Sequence, residues 1–339
     1  MAAESTGSTQ TAVHIAALDI GGTKMAATVA GPTGPIARVT QLTVKTGPPD
    51  AVANQAVALI RAAIRQAGIA EDQVEILGVS TCGPFAQLDG MLGLAAPNIC
   101  DNGRGRADLP NAWDVIPLEK ILRTHFRTVV IANDCIAALT AERSFGAVRD
   151  VPDCVYSTWS TGIGFGLCVD GHILRGKHGN AGHAGHLLMD PLSEIVCGCG
   201  NRGDLEALIS GRGLAHRSGM SAVELFAAAK RGESRPRMLA TEAARWFGRG
   251  LYNLAVTLDT RTFVVGGSVW LHHGEWLAPI VHQEIASRMP ALTQGVSVLP
   301  AALGSLVTDV GAMAMVMPVE WVAQWRRTRP WESLVTVER

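Results

Sequence analysis

The first part of the chain alternates short apolar runs with turns and one helical repeat. VHIAALDI (13–20) and MAATVA (25–30) are apolar runs on either side of a glycine turn, so this segment predicts two strands. After Asp50, apolar residues recur at three- and four-residue steps as far as Ile64, and Gly68 follows at the position of a C-terminal cap. This pattern predicts an amphipathic helix after the strands.

Two later apolar runs predict buried strands. They are ILGVS (76–80) and TVVIAN (128–133), and a helical pattern from Cys135 to Phe145 follows the second of them. Strands and helices therefore alternate in this part of the chain, which is typical of an α/β protein.

The second part of the chain opens as the first does. CVYSTWS (154–160) is followed by a glycine-rich turn that we place at Gly162, Gly164 and Gly166, and a second apolar run comes after it. A repeated strand, glycine turn and strand predicts two similar α/β domains that face one another across a cleft.

Composition narrows the class of protein. A length of 339 residues favours about two domains. Charged residues make up 17% and hydrophobic residues 47%, which is typical of a folded chain and excludes wholesale disorder. A formal net charge of -1 provides no global positive field for a nucleic-acid backbone, and no apolar stretch reaches the roughly 18 residues of a membrane helix. We therefore expect neither a nucleic-acid nor a membrane partner.

The first residues of the chain and the number of its cysteines indicate the cellular compartment in which the protein works. Residues 1–12 are small and polar, so they predict a disordered tail and not a secretion signal. Seven cysteines without such a signal favour reduced thiols or metal ligands over disulfides. Both observations predict a cytoplasmic protein.

Three glycine turns carry donors for an anion. In LDIGGTK (18–24) a carboxylate ends a strand, and the turn after it offers backbone N–H groups together with side-chain donors. STGIGFG (160–166) and VVGGSV (264–269) repeat the arrangement. An ordinary hairpin with a capping aspartate is the alternative for the first turn, but three such turns favour phosphate binding. The candidate phosphate-binding residues are Asp19, Gly21, Gly22, Thr23, Lys24, Ser160, Thr161, Gly162, Gly164, Gly266 and Gly267.

These motifs resemble those of the ROK family of sugar kinases, from about residue 14 to 318. The family's first phosphate loop resembles DIGGTK, its catalytic Asn-Asp pair resembles Asn133-Asp134, and its second phosphate loop, GTGIGGG, is STGIGFG here. The family's sugar and metal signature, GExGH followed by CxCGxxGCxE, is GHAGH (182–186) and CGCGNRGDLE (197–206) in this chain.

The resemblance implies a fold and its division. The fold would be the two-lobed α/β ATPase fold of actin and hexokinase, which is ribonuclease H-like, with a cleft between the lobes. The N-terminal lobe would span 13–133 and be completed by a C-terminal helix near 319–330. The larger C-terminal lobe would span 134–318 and hold the nucleotide site and a zinc loop. The resemblance also favours a homodimer.

The resemblance assigns the catalytic chemistry to carboxylates. Asp134 would be the general base, because a sugar hydroxyl is a poor nucleophile and a carboxylate within hydrogen-bond reach can orient it and accept its proton. From the residues alone, the alternative is that the Asn-Asp pair caps the following helix. Asp19 would be the partner of Mg²⁺, which prefers one or two carboxylates plus phosphate oxygens. ATP and Mg²⁺ are the expected cofactors.

A zinc site is the third expectation. The ligands would be His186, Cys197, Cys199 and Asp204, and the last of these stands where the family has a cysteine. Zinc accepts a carboxylate oxygen, so the set remains suitable, and the metal would have a structural role in the sugar-binding loop. The alternative is that both cysteines are ordinary reduced thiols.

The sugar site departs from the family at His183, where a glutamate is usual. An imidazole can donate or accept, so the change alters the substituent that the pocket prefers, unless the histidine only supports the residues that contact the sugar. The candidate sugar-binding residues are Gly83, Asn98, Asn133, Asp134, His183, His186 and Glu206.

The resulting hypothesis is an ATP-dependent sugar 6-kinase. Kanosamine, the 3-amino analogue of glucose, is the expected substrate, in the biosynthesis of an antibiotic precursor. Glucose is the alternative, followed by N-acetylmannosamine. A sugar-binding regulator is the alternative outside the enzymes, but we expect none here, because only about a dozen residues precede the first strand and a helix-turn-helix domain would not fit.

Overall fold

The computed structural model describes residues 14–105 and 107–338, with the side chains of 335–338 left out. The tail predicted at 1–12 lies outside the described residues. The chain folds into two α/β lobes, each built on a five-stranded sheet, as the sequence predicts. No helix in the described ranges combines the length and the apolar character that crossing a bilayer requires.

The first lobe contains a sheet with the strand order β3-β2-β1-β4-β7. Strand β1 pairs antiparallel with β2 and parallel with β4, so the predicted glycine turn joins an antiparallel hairpin. The elements are β1 (Ile15–Ile20), β2 (Lys24–Gly31), β3 (Gly34–Leu42), α1 (Ala51–Ala67), β4 (Ile76–Thr81), β5 (Phe85–Leu88), β6 (Met91–Leu94), α2 (Leu118–Leu122), β7 (Thr128–Asn133) and α3 (Asp134–Phe145).

The second lobe contains a sheet with the order β10-β9-β8-β11-β12, which repeats the topology of the first. The elements are β8 (Cys154–Trp159), β9 (Ile163–Val169), β10 (His172–Ile173), α4 (Leu205–Ile209), α5 (Gly211–Ser218), α6 (Ala222–Lys230), α7 (Ser234–Leu258), β11 (Thr262–Gly266), α8 (Ser268–Ala286), α9 (Pro290–Thr293) and β12 (Ser297–Pro300). Two helices, α10 (Val307–Ala314) and α11 (Val319–Thr328), follow and return to the first sheet.

The glycine turn predicted at 162–166 is shorter than expected. Strand β9 already begins at Ile163, so Gly164 and Gly166 lie in the strand and not in the turn. A Cβ on Gly164 would overlap the Cys135 sulfur, and one on Gly166 would overlap the Cys135 carbonyl. These glycines therefore allow β9 to lie close against α3.

Two helices cross where the lobes meet. Helix α10 packs against α3 and also against β1 and β4 of the first sheet. A Cβ on Gly311 of α10 would overlap the carbonyl oxygen of Ala137 in α3, so the backbones touch at this crossing. Helix α11 then lies beside the first sheet, where Trp325 Nε1 donates to the carbonyl oxygen of Pro32 at 3.0 Å.

Candidate active site

Asp134 lies at the junction of β7 and α3, at the carboxyl end of a buried strand. Asn133 caps α3, since its Oδ1 accepts the N–H of Cys135 at 2.9 Å. Asp134 Oδ1 accepts the same N–H at 2.8 Å. The capping function anticipated for the Asn-Asp pair is therefore fulfilled by Asn133, and Asp134 lies in the first turn of the helix beside the cleft.

The surroundings of Asp134 raise its pKa. Desolvation by burial is the largest cause, and it is opposed by hydrogen bonding to Cys135 and by the nearby imidazole of His183. A carboxylate with a raised pKa is a stronger base than a solvated one, which suits a group that accepts a proton from an alcohol.

Asp19 is the last but one residue of β1 and lies close to the crossing of α3 and α10. Thr308 of α10 donates from Oγ1 to Asp19 Oδ2 at 3.1 Å. Burial and then the charge of Asp309 raise the pKa of Asp19 to about 7, and Asp134 adds to the effect. A concentration of negative charge around a poorly solvated carboxylate is a suitable environment for a divalent cation.

Asp309 is itself held by an ion pair inside the protein. Arg38 of β3 contacts both carboxylate oxygens of Asp309, at 3.1 and 3.2 Å, and both side chains are at most 7% exposed. Sequence analysis missed Thr308, Arg38 and Asp309, because no local motif marks contacts between residues so far apart in sequence. Thr308 meets Asp19 across 289 positions, and Arg38 meets Asp309 across 271.

The first predicted phosphate loop is a tight turn between β1 and β2. The N–H of Gly21 donates to the carbonyl oxygen of Lys24 at 2.9 Å, and Thr43 Oγ1 donates to the Gly21 carbonyl oxygen at 2.7 Å. Gly22 lies against Asn98, since an added Cβ would be 2.9 Å from Asn98 Nδ2. Asn98, predicted to bind sugar, is therefore adjacent to the loop.

The second and third predicted loops lie next to each other in the second lobe. The N–H of Ser160 donates to the carbonyl oxygen of Gly162 at 3.0 Å, which closes the β8–β9 hairpin, and Thr161 is exposed at its tip. Gly266 ends β11, and Gly267 adopts a φ of 86° directly against the backbone of Trp159. These two loops lie side by side at the carboxyl ends of the parallel strands β8 and β11.

Three candidate sugar residues converge at the opposite face of the cleft. A Cβ on Gly83 would be 2.8 Å from His183 Nε2 and 3.4 Å from Asn133 Nδ2. Burial lowers the pKa of His183, while its hydrogen bond to the carbonyl oxygen of Asn180, at 3.1 Å, acts in the other direction. Gly83, Asn133 and His183 thus lie close together, and Asn133 directly precedes Asp134 in the chain.

The predicted zinc ligands form a cluster. The ligand atoms of His186, Cys197, Cys199 and Asp204 all lie within 4.8 Å of one another. His186 Nδ1 is 3.0 Å from Asp204 Oδ2, and the two sulfurs lie 3.7 and 3.5 Å from the same nitrogen. Tetrahedral zinc places sulfur and nitrogen ligands about 3.5 Å apart, so these residues fit the ion.

Glu206 connects the cluster to the nucleotide side of the site. Its Oε2 accepts the N–H of Ile163 at 2.9 Å, next to the second phosphate loop, and its Oε1 accepts from the Cys197 sulfhydryl at 3.2 Å. A side chain from the first lobe also reaches the cluster, since Arg104 donates to the carbonyl oxygen of Gly198 at 3.0 Å and to that of Cys199 at 3.4 Å.

The comparisons with known proteins show the family. The family model described as "ROK family" matches residues 15–318. The chain belongs to the ROK family. An N-acetylmannosamine kinase of Salmonella newport is 34% identical over 289 residues, which cover 82% of this chain and 91% of the relative.

Solved structures of the ROK family share the fold. A ROK hexokinase from Thermus thermophilus is 31% identical with a TM-score of 0.73, over 90% of this chain and 98% of that structure. A ROK glucokinase from Streptomyces griseus, in complex with glucose and AMPPNP, is 26% identical with a TM-score of 0.66, over 89% of this chain and 99% of that structure. The present chain is a carbohydrate kinase with the two-lobed fold of these ROK enzymes.

Proposed function

We propose that the protein transfers the γ-phosphoryl group of ATP to the 6-hydroxyl of a hexose or amino-hexose, with kanosamine as the preferred sugar. The observation that carries the proposal is the position of Asp134, a carboxylate with a raised pKa at the end of a buried strand, beside the pocket of Gly83, Asn133 and His183. The ROK glucokinase complex with AMPPNP supports ATP as the phosphoryl donor.

In the proposed mechanism, Asp134 orients the sugar hydroxyl and takes its proton as the O–P bond forms. The glycine loops at 21–24 and 160–162 offer backbone donors to the phosphates from opposite lobes. Asp19 would hold Mg²⁺, directly or through water, and the ion would neutralise charge on the transferring phosphoryl group. Thr308 fixes one oxygen of Asp19 for this purpose.

The preference for kanosamine rests on His183. The Nδ1 atom of His183 faces a carbonyl oxygen and therefore carries a proton, so the neutral ring keeps an acceptor at Nε2, on the side of Gly83. An amino substituent on the sugar is a good donor to such an atom. The family's glutamate would also accept, but it would add a negative charge to the pocket.

The cluster of His186, Cys197, Cys199 and Asp204 would hold a structural zinc ion. When bound, the ion would crosslink the segment 186–204 through its four ligands and would take no part in phosphoryl transfer. Glu206 is the last residue of the sugar signature and lies two residues after Asp204, and its Oε2 accepts the N–H of Ile163, so an ordered loop would hold it in place for the anomeric hydroxyl.

A coupled ADP-release assay tests the proposal across kanosamine, glucose, glucosamine, N-acetylglucosamine and N-acetylmannosamine. We expect kcat/KM to be highest for kanosamine. Equal or better use of glucose would identify the protein as a glucokinase, and a clear preference for N-acetylmannosamine would place it with the Salmonella relative. If none of these sugars supports ATP turnover, the proposed reaction itself is contradicted.

The proposal includes a cytoplasmic homodimer. Seven cysteines, all free in the structure, are suited to a reducing compartment. Light scattering of the purified protein would measure the oligomeric state, and a mass of 35.7 kDa would contradict the dimer.

A further inference from the structure

The loop that carries His183 crosses from the second lobe to the first. Asn180 Oδ1 accepts the N–H of Phe85 at 2.8 Å, and Asn180 Nδ2 donates to the carbonyl oxygen of Phe85, also at 2.8 Å. The carboxamide therefore pairs with the Phe85 backbone as a neighbouring strand would. Phe85 belongs to the core of the first lobe, so Asn180 connects the lobes beside the sugar pocket.

Further contacts keep this loop against the first lobe. Gly179 has a φ of 76° and faces the Phe85 ring, where an added Cβ would be only 3.2 Å away. Arg175 Nη1 donates to the carbonyl oxygen of Ile131 in β7 at 3.3 Å. Contacts with the first lobe therefore fix the position of residues 175–180, which directly precede the segment that carries His183.

The backbone of Asn180 also sets the state of the His183 ring. Its carbonyl oxygen lies 3.1 Å from His183 Nδ1. Because a carbonyl oxygen only accepts, Nδ1 must carry a hydrogen, and a neutral ring then keeps its lone pair at Nε2. That atom is the one that faces Gly83. Asn180 therefore influences His183 through its side chain, which fixes the loop, and through its backbone, which fixes the ring.

We infer that Asn180 is a positioning residue for sugar recognition, whose clamp on Phe85 holds His183 Nε2 in place to accept a hydrogen bond from the substrate. The inference rests on the proposed function, in which His183 contacts the sugar. It also defines the ligand chemistry at this point of the pocket. The sugar must present a donor, an amine or a hydroxyl, because a substituent that only accepts would leave Nε2 without a partner.

A double-mutant cycle tests the inference. The variants are Asn180→Ala, His183→Ala and the double variant, and the exposed Asn54→Ala in α1 is the matched control. The dissociation constants of kanosamine and glucose are measured by calorimetry, together with the KM for ATP. Loss of a well-placed hydrogen bond is expected to weaken kanosamine binding about tenfold in Asn180→Ala, with the KM for ATP unchanged.

The decisive comparison is between the double variant and His183→Ala. If Asn180 acts through His183, the double variant binds kanosamine within about twofold of His183→Ala, because the same interaction is lost only once. Independent effects that multiply would overturn the inference, as would unchanged kanosamine binding in either single variant. Asn54→Ala is expected to match the unmodified protein throughout.

A second variant guards against misfolding. Asn180→Asp keeps the acceptor for the Phe85 N–H but sets a carboxylate oxygen against the Phe85 carbonyl oxygen, so we expect it to weaken kanosamine binding at least as much as Asn180→Ala, with the same dependence on His183. If the unmodified protein binds sugars with this coupling but transfers no phosphate, the proposed function fails and the positioning role of Asn180 remains. If it is an active kinase without the coupling, the inference alone fails.

Discussion

The burial of Asp134, which we propose suits it to act as a base, acts against the stability of the fold. Burial raises its pKa, so the folded protein holds the proton of this carboxyl more tightly than the unfolded chain does. Stability from such a group is fully present below the unfolded pKa and is lost as pH rises through the folded pKa. Once ionised, the side chain can act as a base, but its burial in that form opposes folding.

Asp134→Asn should therefore change activity and stability in opposite directions. We expect kcat to fall by about 10² to 10⁴, since general-base catalysis contributes that much, while sugar binding is retained. Urea denaturation should show a higher free energy of unfolding for the variant at pH 8, and the gain should shrink at pH 5. The amide oxygen still accepts the Cys135 N–H, so a loss of stability at pH 8 would contradict this account.

At the scale of elements, the packing of helices α3 and α10 is coupled to the position of two carboxylates. Each begins beside a carboxylate with a proposed role in the reaction, since α3 starts at Asp134 and Thr308, in the first turn of α10, donates to Asp19. The two helices touch through Gly311, where an added Cβ would overlap a backbone oxygen that cannot rotate away. The distance between the helices is therefore tied to the placement of both carboxylates.

Gly311→Ala is predicted to force this crossing apart. Overpacking against backbone should cost about 3 kcal/mol of the free energy of unfolding, and kcat should fall because Asp19 and Asp134 are displaced from each other. The control is Gly219→Ala at the end of α5, where φ is 73° and no atom would meet the added Cβ. There we expect about 1 kcal/mol from backbone strain and an unchanged kcat, and equal kcat values in both variants would refute the proposed link.

At the scale of the whole molecule, the loop that carries Cys197 and Cys199 is one of the places where the two lobes meet. Glu206 links it to the second phosphate loop, and Arg104 approaches it from the first lobe. A metal ion held by His186, Cys197, Cys199 and Asp204 would order this meeting point.

Metal analysis provides the test at this scale. We expect about one zinc ion per chain by mass spectrometry, and we expect a chelator to lower the Tm and weaken sugar binding. Asp204→Cys should keep zinc, whereas Asp204→Ala should lose it together with the N-cap that Asp204 provides to α4. Protein purified without zinc, with a Tm insensitive to chelator, would exclude the metal site.

Local signals predicted most of the fold, and non-local contacts explain what they missed. Patterns within a few residues of sequence are enough to predict the strands, the helix capped by Gly68 and the Asn133-Asp134 pair at the start of α3. Gly164 was assigned to a turn because a glycine that permits close packing looks the same in sequence as one that permits a bend. Thr308 and Asn180 meet their partners only after the chain has folded, so no window of sequence reveals them.

Arg104 rests on the rim of the opposite half of the molecule through two carbonyl contacts made by a long, flexible stem. Hydrogen bonds made by an exposed, long side chain contribute little to stability, so this contact is a minor link between the two halves. Replacing Arg104 would therefore remove a direct connection between the lobes and leave both hydrophobic cores as they are.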